Sequence, residues 1–103
     1  MENLREMVHS IVSSYAAEPL NGKSYLTMND TEDVFAVITV AKDQKKHIAD
    51  AGLIVRLEGD FVIVEQDLNS KIVLEALLQA GIPREKIVLT YAGESLEQAT
   101  ALA

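Results

Sequence analysis

The 103-residue sequence contains no cysteine. It therefore has no disulfides, no thiolate nucleophile and no cysteine-type zinc site, and this is compatible with a reducing cytoplasm. It also lacks tryptophan, and aromatic residues make up only 5% of the chain, whereas 49% of its residues are hydrophobic. Such a core must be aliphatic, stabilised by roughly 25 cal/mol per Å² of buried apolar surface. The length predicts one domain spanning residues 1–103.

Positive charge is scarce as well. Nine lysines and arginines stand against 16 aspartates and glutamates, so the formal net charge is −7. Non-specific nucleic-acid binding depends on lysine and arginine contacts with phosphates, so this balance disfavours direct binding to nucleic acids and to anionic membranes. No apolar run approaches the roughly 18 residues of a membrane span, and no signal peptide is recognisable. We expect a cytoplasmic protein without a membrane segment.

The most informative stretch runs from residue 69 to residue 89. Apolar residues recur at helical spacing, which predicts a second long helix over about 70–80, capped by Asn69. Gly81 suits the left-handed position that ends helices, and Pro83 cannot continue one. The apolar run Ile87–Leu89 predicts a short buried strand. A core helix followed by a strand accounts for this pattern better than a recognition helix does.

The remaining chain predicts one further helix and a sheet. Helical spacing of apolar residues indicates an amphipathic N-terminal helix over 2–15, and Pro19 with Asn21-Gly22 indicates a break. Strands are predicted at 25–28, 34–41, 47–57 and 61–66. The fold class is therefore α+β, an antiparallel sheet of four to five strands with both longer helices on one face. Exposed strand edges favour a homodimer.

The third and fourth predicted strands form a hairpin. Gly59 supplies the positive φ that its turn requires. Strict alternation along the third strand places one set of side chains on a common face: His47, Ala49, Ala51, Leu53, Val55 and Leu57.

Three clusters could carry chemistry, and each also has a plain structural interpretation. The acidic turn Asp30, Glu32 and Asp33 invites a hard cation, but EF-hand spacing is absent. Lys42, Lys45 and Lys46 could contact phosphates, together with Arg56 and Arg84, although a solvated hairpin tip is favoured. His9, His47 and Tyr91 could meet in a ligand pocket, although isolated histidines favour surface positions. We assign no catalytic, metal or cofactor residues and expect a protein that is not an enzyme.

Three sequence segments resemble one known family. The first is Asp30-Thr31-Glu32, which leads into the apolar strand at 34–41. The second is the hairpin turn around Gly59, followed by Gln66-Asp67. The third and most specific is AGIPREKIVL at 80–89, with the matching positions Gly81, Ile82, Pro83, Ile87, Val88 and Leu89. Together they resemble the XisI family, the fdxN-element excision controlling factors of cyanobacteria.

The chain resembles a divergent member of this family. The family usually has Gly-Trp where this chain has Val40-Ala41, and Tyr91 follows the last strand where an aromatic, His and Pro are usual. The resemblance implies control of a DNA rearrangement alongside a partner, XisH, that looks like a nuclease. We expect no cofactor. Three functions follow: a non-enzymatic regulatory protein that binds a protein partner, a direct DNA-binding excision accessory factor, or a small-ligand-binding domain.

Overall fold

The structure is a computed structural model that describes residues 3–16 and 22–102. The predicted break at Pro19 and Asn21 lies outside the described residues. The elements are α1 (Leu4–Ser13), β1 (Gly22–Met28), β2 (Val34–Asp43), β3 (Lys46–Glu58), β4 (Phe61–Asp67), α2 (Val73–Gln79), β5 (Ile87–Leu89) and α3 (Leu96–Leu102). Short 3₁₀ turns at Arg84–Lys86 and Thr90–Ala92 flank β5.

The five strands form one sheet in the order β1-β2-β3-β4-β5, which confirms the predicted α+β class. The first three pairs are antiparallel, but β5 runs parallel to β4, so the prediction of a wholly antiparallel sheet is wrong at its last strand. The reason is the connection. Because α2 crosses back between β4 and β5, the chain enters β5 from the same end at which it entered β4.

One face of the sheet packs against α1 and α2. Side chains from both helices and from four strands share one buried cluster, as predicted for the two helices. Its members are Val8, Val12, Phe35, Val37, Leu53, Val55, Val62, Val64, Val73, Leu77, Ile82, Ile87 and Leu89. The cluster contains one aromatic ring, so dense aliphatic packing supplies most of the burial.

Helix α2 is shorter than predicted, and its cap is a different residue. Ile72 is extended, with φ −68° and ψ 143°, so the helix begins at Val73 rather than at residue 70. The backbone N–H of Val73 donates to Asp67 Oδ2 at 2.7 Å. Asn69 donates its own N–H groups to Asp67 Oδ1, so it does not act as the cap. The predicted stop is confirmed, because Gly81 adopts φ 96°.

Strand β3 does not alternate along its whole length. Val37 pairs with Leu53 while Ile38 pairs with Ala51, so Gly52 is an extra residue without a partner in β2. A bulge of this kind reverses the side-chain alternation. Ala51 and Ala49 therefore lie on the outer face, opposite to Leu53, and the predicted common face is wrong beyond the bulge.

Helix α1 begins at a side-chain cap, since the N–H of Glu6 donates to Asn3 Oδ1 at 2.8 Å. His9 does not lie on the wetter side of this helix as predicted. Its ring stacks on the buried ring of Phe35, with centroids 5.8 Å apart. His9 thus helps to seat α1 on β2, which is a packing role.

Candidate functional site

The turn between β1 and β2 is held by its own side chains. Asn29 Oδ1 accepts hydrogen bonds from the N–H of Asp33 at 2.9 Å and of Val34 at 3.0 Å. Asp33 Oδ1 accepts from the Thr31 hydroxyl at 2.8 Å and from the Asn29 amide. These side-chain donors lower the pKa of Asp33. Two of the predicted cation ligands, Asp30 and Glu32, are exposed at the rim of this turn.

The β3–β4 turn lies beside the first turn, although 30 sequence positions separate them. The N–H of Leu57 donates to the carbonyl of Asp33 at 2.7 Å. A groove of about 350 Å³ lies between the start of α1 and the two turns, and Arg5 lines it. Arg5 Nε donates to the carbonyl of Glu32 at 3.0 Å, so the helix start is tied to the acidic turn.

The third family-like segment reaches the same end of the molecule. Lys86 Nζ lies 3.1 Å from Asp60 Oδ2 and 4.8 Å from the centre of the Phe61 ring. The lysine lowers the pKa of Asp60 by hydrogen bonding. Parts of all three resembling segments therefore meet here, namely the Asp30-Thr31-Glu32 turn, the Gly59 turn and Lys86, whereas Gln66-Asp67 lie at the other end of β4. We call this region the acidic end and define it by five carboxylates: Asp30, Glu32, Asp33, Glu58 and Asp60.

The acidic end is suited to receive positive charge. Its five carboxylates outnumber the three nearby cations, Arg5, Arg56 and Lys86, which contact them or their backbone. Two of the carboxylates are well exposed, since the side chains of Glu58 and Asp60 are 58% and 70% accessible. Exposed carboxylates attract and orient cationic surfaces while remaining hydrated.

The rest of the 80–89 segment has a structural role. Arg84 donates to the carbonyl of Ile87 at 2.8 Å and to Glu94 Oε2 at 2.6 Å. Glu94 Oε1 in turn accepts from the N–H of Leu89 at 2.9 Å. This ion pair occupies backbone groups of β5 at the edge of the sheet and blocks the addition of another strand there.

The two ion pairs at Glu94 and Glu65 make stability depend on acid pH. Hydrogen bonds from Arg84 lower the pKa of Glu94, and those from Thr90 and Arg56 lower the pKa of Glu65. A lowered folded-state pKa contributes stability that is complete above the unfolded value of about 4.3 and is lost as pH falls through the folded value. We expect Glu94→Gln to destabilise the protein at pH 7 and to cost progressively less below pH 4.5, as measured by urea unfolding. A pH-independent cost would contradict this assignment.

The basic candidates do not form one surface. Lys42, Lys45 and Lys46 lie around the two-residue turn that joins β2 to β3. Arg56 lies ten residues further along β3, about 33 Å away at strand spacing, and is paired with Glu58 and Glu65. Arg84 is engaged by Glu94. A phosphate-binding role for the three lysines stays a prediction without support from either arginine.

The residues of the ligand-pocket hypothesis are also dispersed. His9 packs on Phe35 over the core, whereas His47 is exposed near the β2–β3 turn, on the outer face. Tyr91 lies after β5 at the far edge of the sheet. Among residues 3–16 and 22–102, no group of three or more histidine, aspartate or glutamate side chains is arranged to hold a metal ion. No helix in this part of the chain is long and apolar enough to cross a membrane.

Sequence reasoning treated the three resembling segments separately and missed that they meet. A signal was available, because the first and third turns of an antiparallel meander lie at the same end of the sheet. The partnership of Lys86 with Asp60 was not predictable, since it depends on the parallel placement of β5 beside β4.

Comparisons with known proteins agree with the resemblance. The sequence profile of the XisI protein family matches residues 1–103. A XisI-like protein from Anabaena variabilis ATCC 29413 has a similar structure, with a TM-score of 0.72 and 20% identity over 82% of this chain and 81% of that chain. The fdxN element excision controlling factor XisI from the same organism has a TM-score of 0.67 and 18% identity over 91% and 92% of the two chains. The search of curated proteins found no match.

Proposed function

The chain belongs to the XisI family, and from this premise we propose that it is a non-enzymatic regulatory protein that binds a protein partner through its acidic end. The observation that supports this proposal is the convergence of parts of all three family-like segments on that end, through the Leu57–Asp33 and Lys86–Asp60 contacts. Asp30 and Glu32, which match the family pattern, share this end with the exposed carboxylates of Glu58 and Asp60, so the four are well placed to contact one partner.

The partner we propose has a basic surface. The chain has a net charge of −7, and exposed carboxylates at the acidic end would steer a cationic protein toward it. Proteins that act on DNA carry such surfaces because they must neutralise phosphates. The resemblance implies an XisH-like nuclease, and by binding it in the cytoplasm this protein would help to control excision of a DNA element.

The test is a binding titration between this protein and the XisH-like protein of the same host. One variant neutralises the acidic end with Glu32→Gln, Glu58→Gln and Asp60→Asn. Its matched control neutralises three exposed carboxylates elsewhere, with Asp50→Asn, Glu75→Gln and Glu97→Gln. Both variants change the net charge by the same amount, so a difference between them reports the location of the site.

We expect the acidic-end variant to weaken binding at least tenfold, or about 1.4 kcal/mol, and the control to weaken it about twofold. Equal losses in the two variants would assign the effect to overall charge and overturn the proposed site. Gel-shift titration of the protein alone with duplex DNA at low salt should give no binding. A shift abolished by Lys42→Glu, Lys45→Glu and Lys46→Glu would instead favour the direct DNA-binding function.

A further inference from the structure

The two edges of the sheet are different. At β5, only three residues long, Arg84 and Glu94 already bond the carbonyl of Ile87 and the N–H of Leu89. At the opposite edge, β1 is seven residues long and pairs with β2 without a bulge. Within residues 3–16 and 22–102, no hydrogen bond covers the outer side of β1. An edge strand of this length is a ready template for another strand.

The charge on β1 indicates that its partner strand is β1 of a second copy. In an acidic molecule, the segment Gly22–Met28 has no carboxylate, and Lys23 is its only charged residue. Two copies that meet along β1 would therefore avoid the like-charge contacts present elsewhere on the surface. Antiparallel pairing centred near Tyr25 or Leu26 also brings Lys23 of one copy toward the Asp30 turn of the other, so the edge is complementary to itself.

The exposed side chains of β1 also favour pairing with a second copy of the chain. Tyr25 is 50% exposed and Met28 is 40% exposed, which makes them two of the larger exposed apolar residues of the described chain. Tyr25 pairs with Ile38, which pairs in turn with Ala51, and both are half-buried apolar residues of the outer face. A second β1 strand would cover part of Tyr25 on this face and part of Met28 on the opposite face.

From these observations we infer that the chain forms a two-fold homodimer in which β1 pairs antiparallel with β1 of a second copy, giving a continuous ten-stranded sheet. The interface leaves Glu58, Asp60 and Lys86 free and approaches only the Asp30 side of the acidic end, so it is compatible with partner binding through Glu58 and Asp60 and does not depend on that binding.

Cysteine cross-linking tests the pairing, because the native chain has no cysteine to interfere. The variants Tyr25→Cys and Thr27→Cys are oxidised alone and as a mixture. Each variant alone tests a pairing centred on its own residue, and the mixture tests a pairing centred on the residue between them. Gln79→Cys, exposed on α2, is the control. We expect at least tenfold faster disulfide formation in one β1 sample than in the control. Equal rates in all samples would overturn the pairing.

Light scattering of the unmodified protein gives the second readout. We expect twice the 11.3 kDa chain mass, and Tyr25→Glu should raise the dimer Kd at least tenfold while Tyr25→Phe leaves it unchanged. Circular dichroism of Tyr25→Glu checks that the variant remains folded. A monomer mass at every concentration would refute the dimer, whereas a dimer indifferent to Tyr25→Glu and not cross-linked through β1 would place the interface elsewhere. Neither result bears on partner binding, which the carboxylate variants test.

Discussion

Replacing Phe35 by alanine is expected to lower the free energy of unfolding by about 3–5 kcal/mol. The Phe35 side chain is fully buried and is the only aromatic ring in the core cluster. It lies on β2 opposite Val55 of β3, and His9 of α1 stacks on it. Its removal therefore leaves a cavity at the junction of the helix layer and the sheet. Urea unfolding followed by circular dichroism measures the loss.

His9→Ala is the matched control for this cavity. It removes the stacked partner of Phe35 from a half-exposed position, and such a stack contributes about 0.5–1.5 kcal/mol. If Phe35→Ala costs no more than His9→Ala, the aliphatic neighbours repack into the space and the ring is not central to the core. We expect the two costs to differ by at least about 1.5 kcal/mol.

Replacing Asp67 by alanine is expected to cost about 2–3 kcal/mol. Asp67 accepts the N–H of Val73, which begins α2, and two N–H groups of Asn69. All three bonds are partly buried and would lose their acceptor together. The loss of an N-terminal cap alone costs about 1 kcal/mol, and unsatisfied buried donors add to it. Thermal or urea unfolding gives the total cost.

Asn69→Ala distinguishes the structural assignment from the sequence-based one. If Asn69 capped the helix, its replacement would cost about as much as a lost cap, near 1 kcal/mol. Because Asn69 instead donates one side-chain hydrogen bond to Asp67, we expect a cost of about 0.5–1.5 kcal/mol, clearly smaller than that of Asp67→Ala. A larger effect for Asn69→Ala than for Asp67→Ala would reverse the assignment of the cap.

The error in the predicted start of α2 has a physical cause that also explains an error in the sheet. Asn69 has high cap propensity, and sequence spacing alone favoured it. Asp67 caps the helix instead, because the end of β4 holds its carboxylate beside the first free N–H of α2. At Gly52, likewise, the residue pattern alternates without interruption, and only pairing with β2 shows that one residue is extra. Both errors arise where a neighbouring strand overrides a local preference.

The candidate site shows the same division between local and distant information. The acidic turn and the Gly59 turn were each recognisable from residue type, because their side chains and backbone angles are set within a few residues. Their proximity requires the antiparallel pairing of β2 with β3, and the Lys86–Asp60 contact requires the parallel addition of β5. No local sequence pattern predicts which turns lie at the same end of the sheet.

By itself the sequence determined the fold class, the helix stop at Gly81, the hairpin turn at Gly59 and the family resemblance. These depend on side-chain periodicity and on backbone conformations that few residues adopt, which are local properties. Only the tertiary structure decided the direction of β5, the cap of α2, the open edge of β1 and the meeting of three segments at the acidic end. The direction of β5 and the meeting of the turns depend on hydrogen bonds and ion pairs between groups that are distant along the chain, so their free energy appears only when the strands are placed side by side. The cap of α2 is local, but it depends on where the end of β4 places the Asp67 carboxylate.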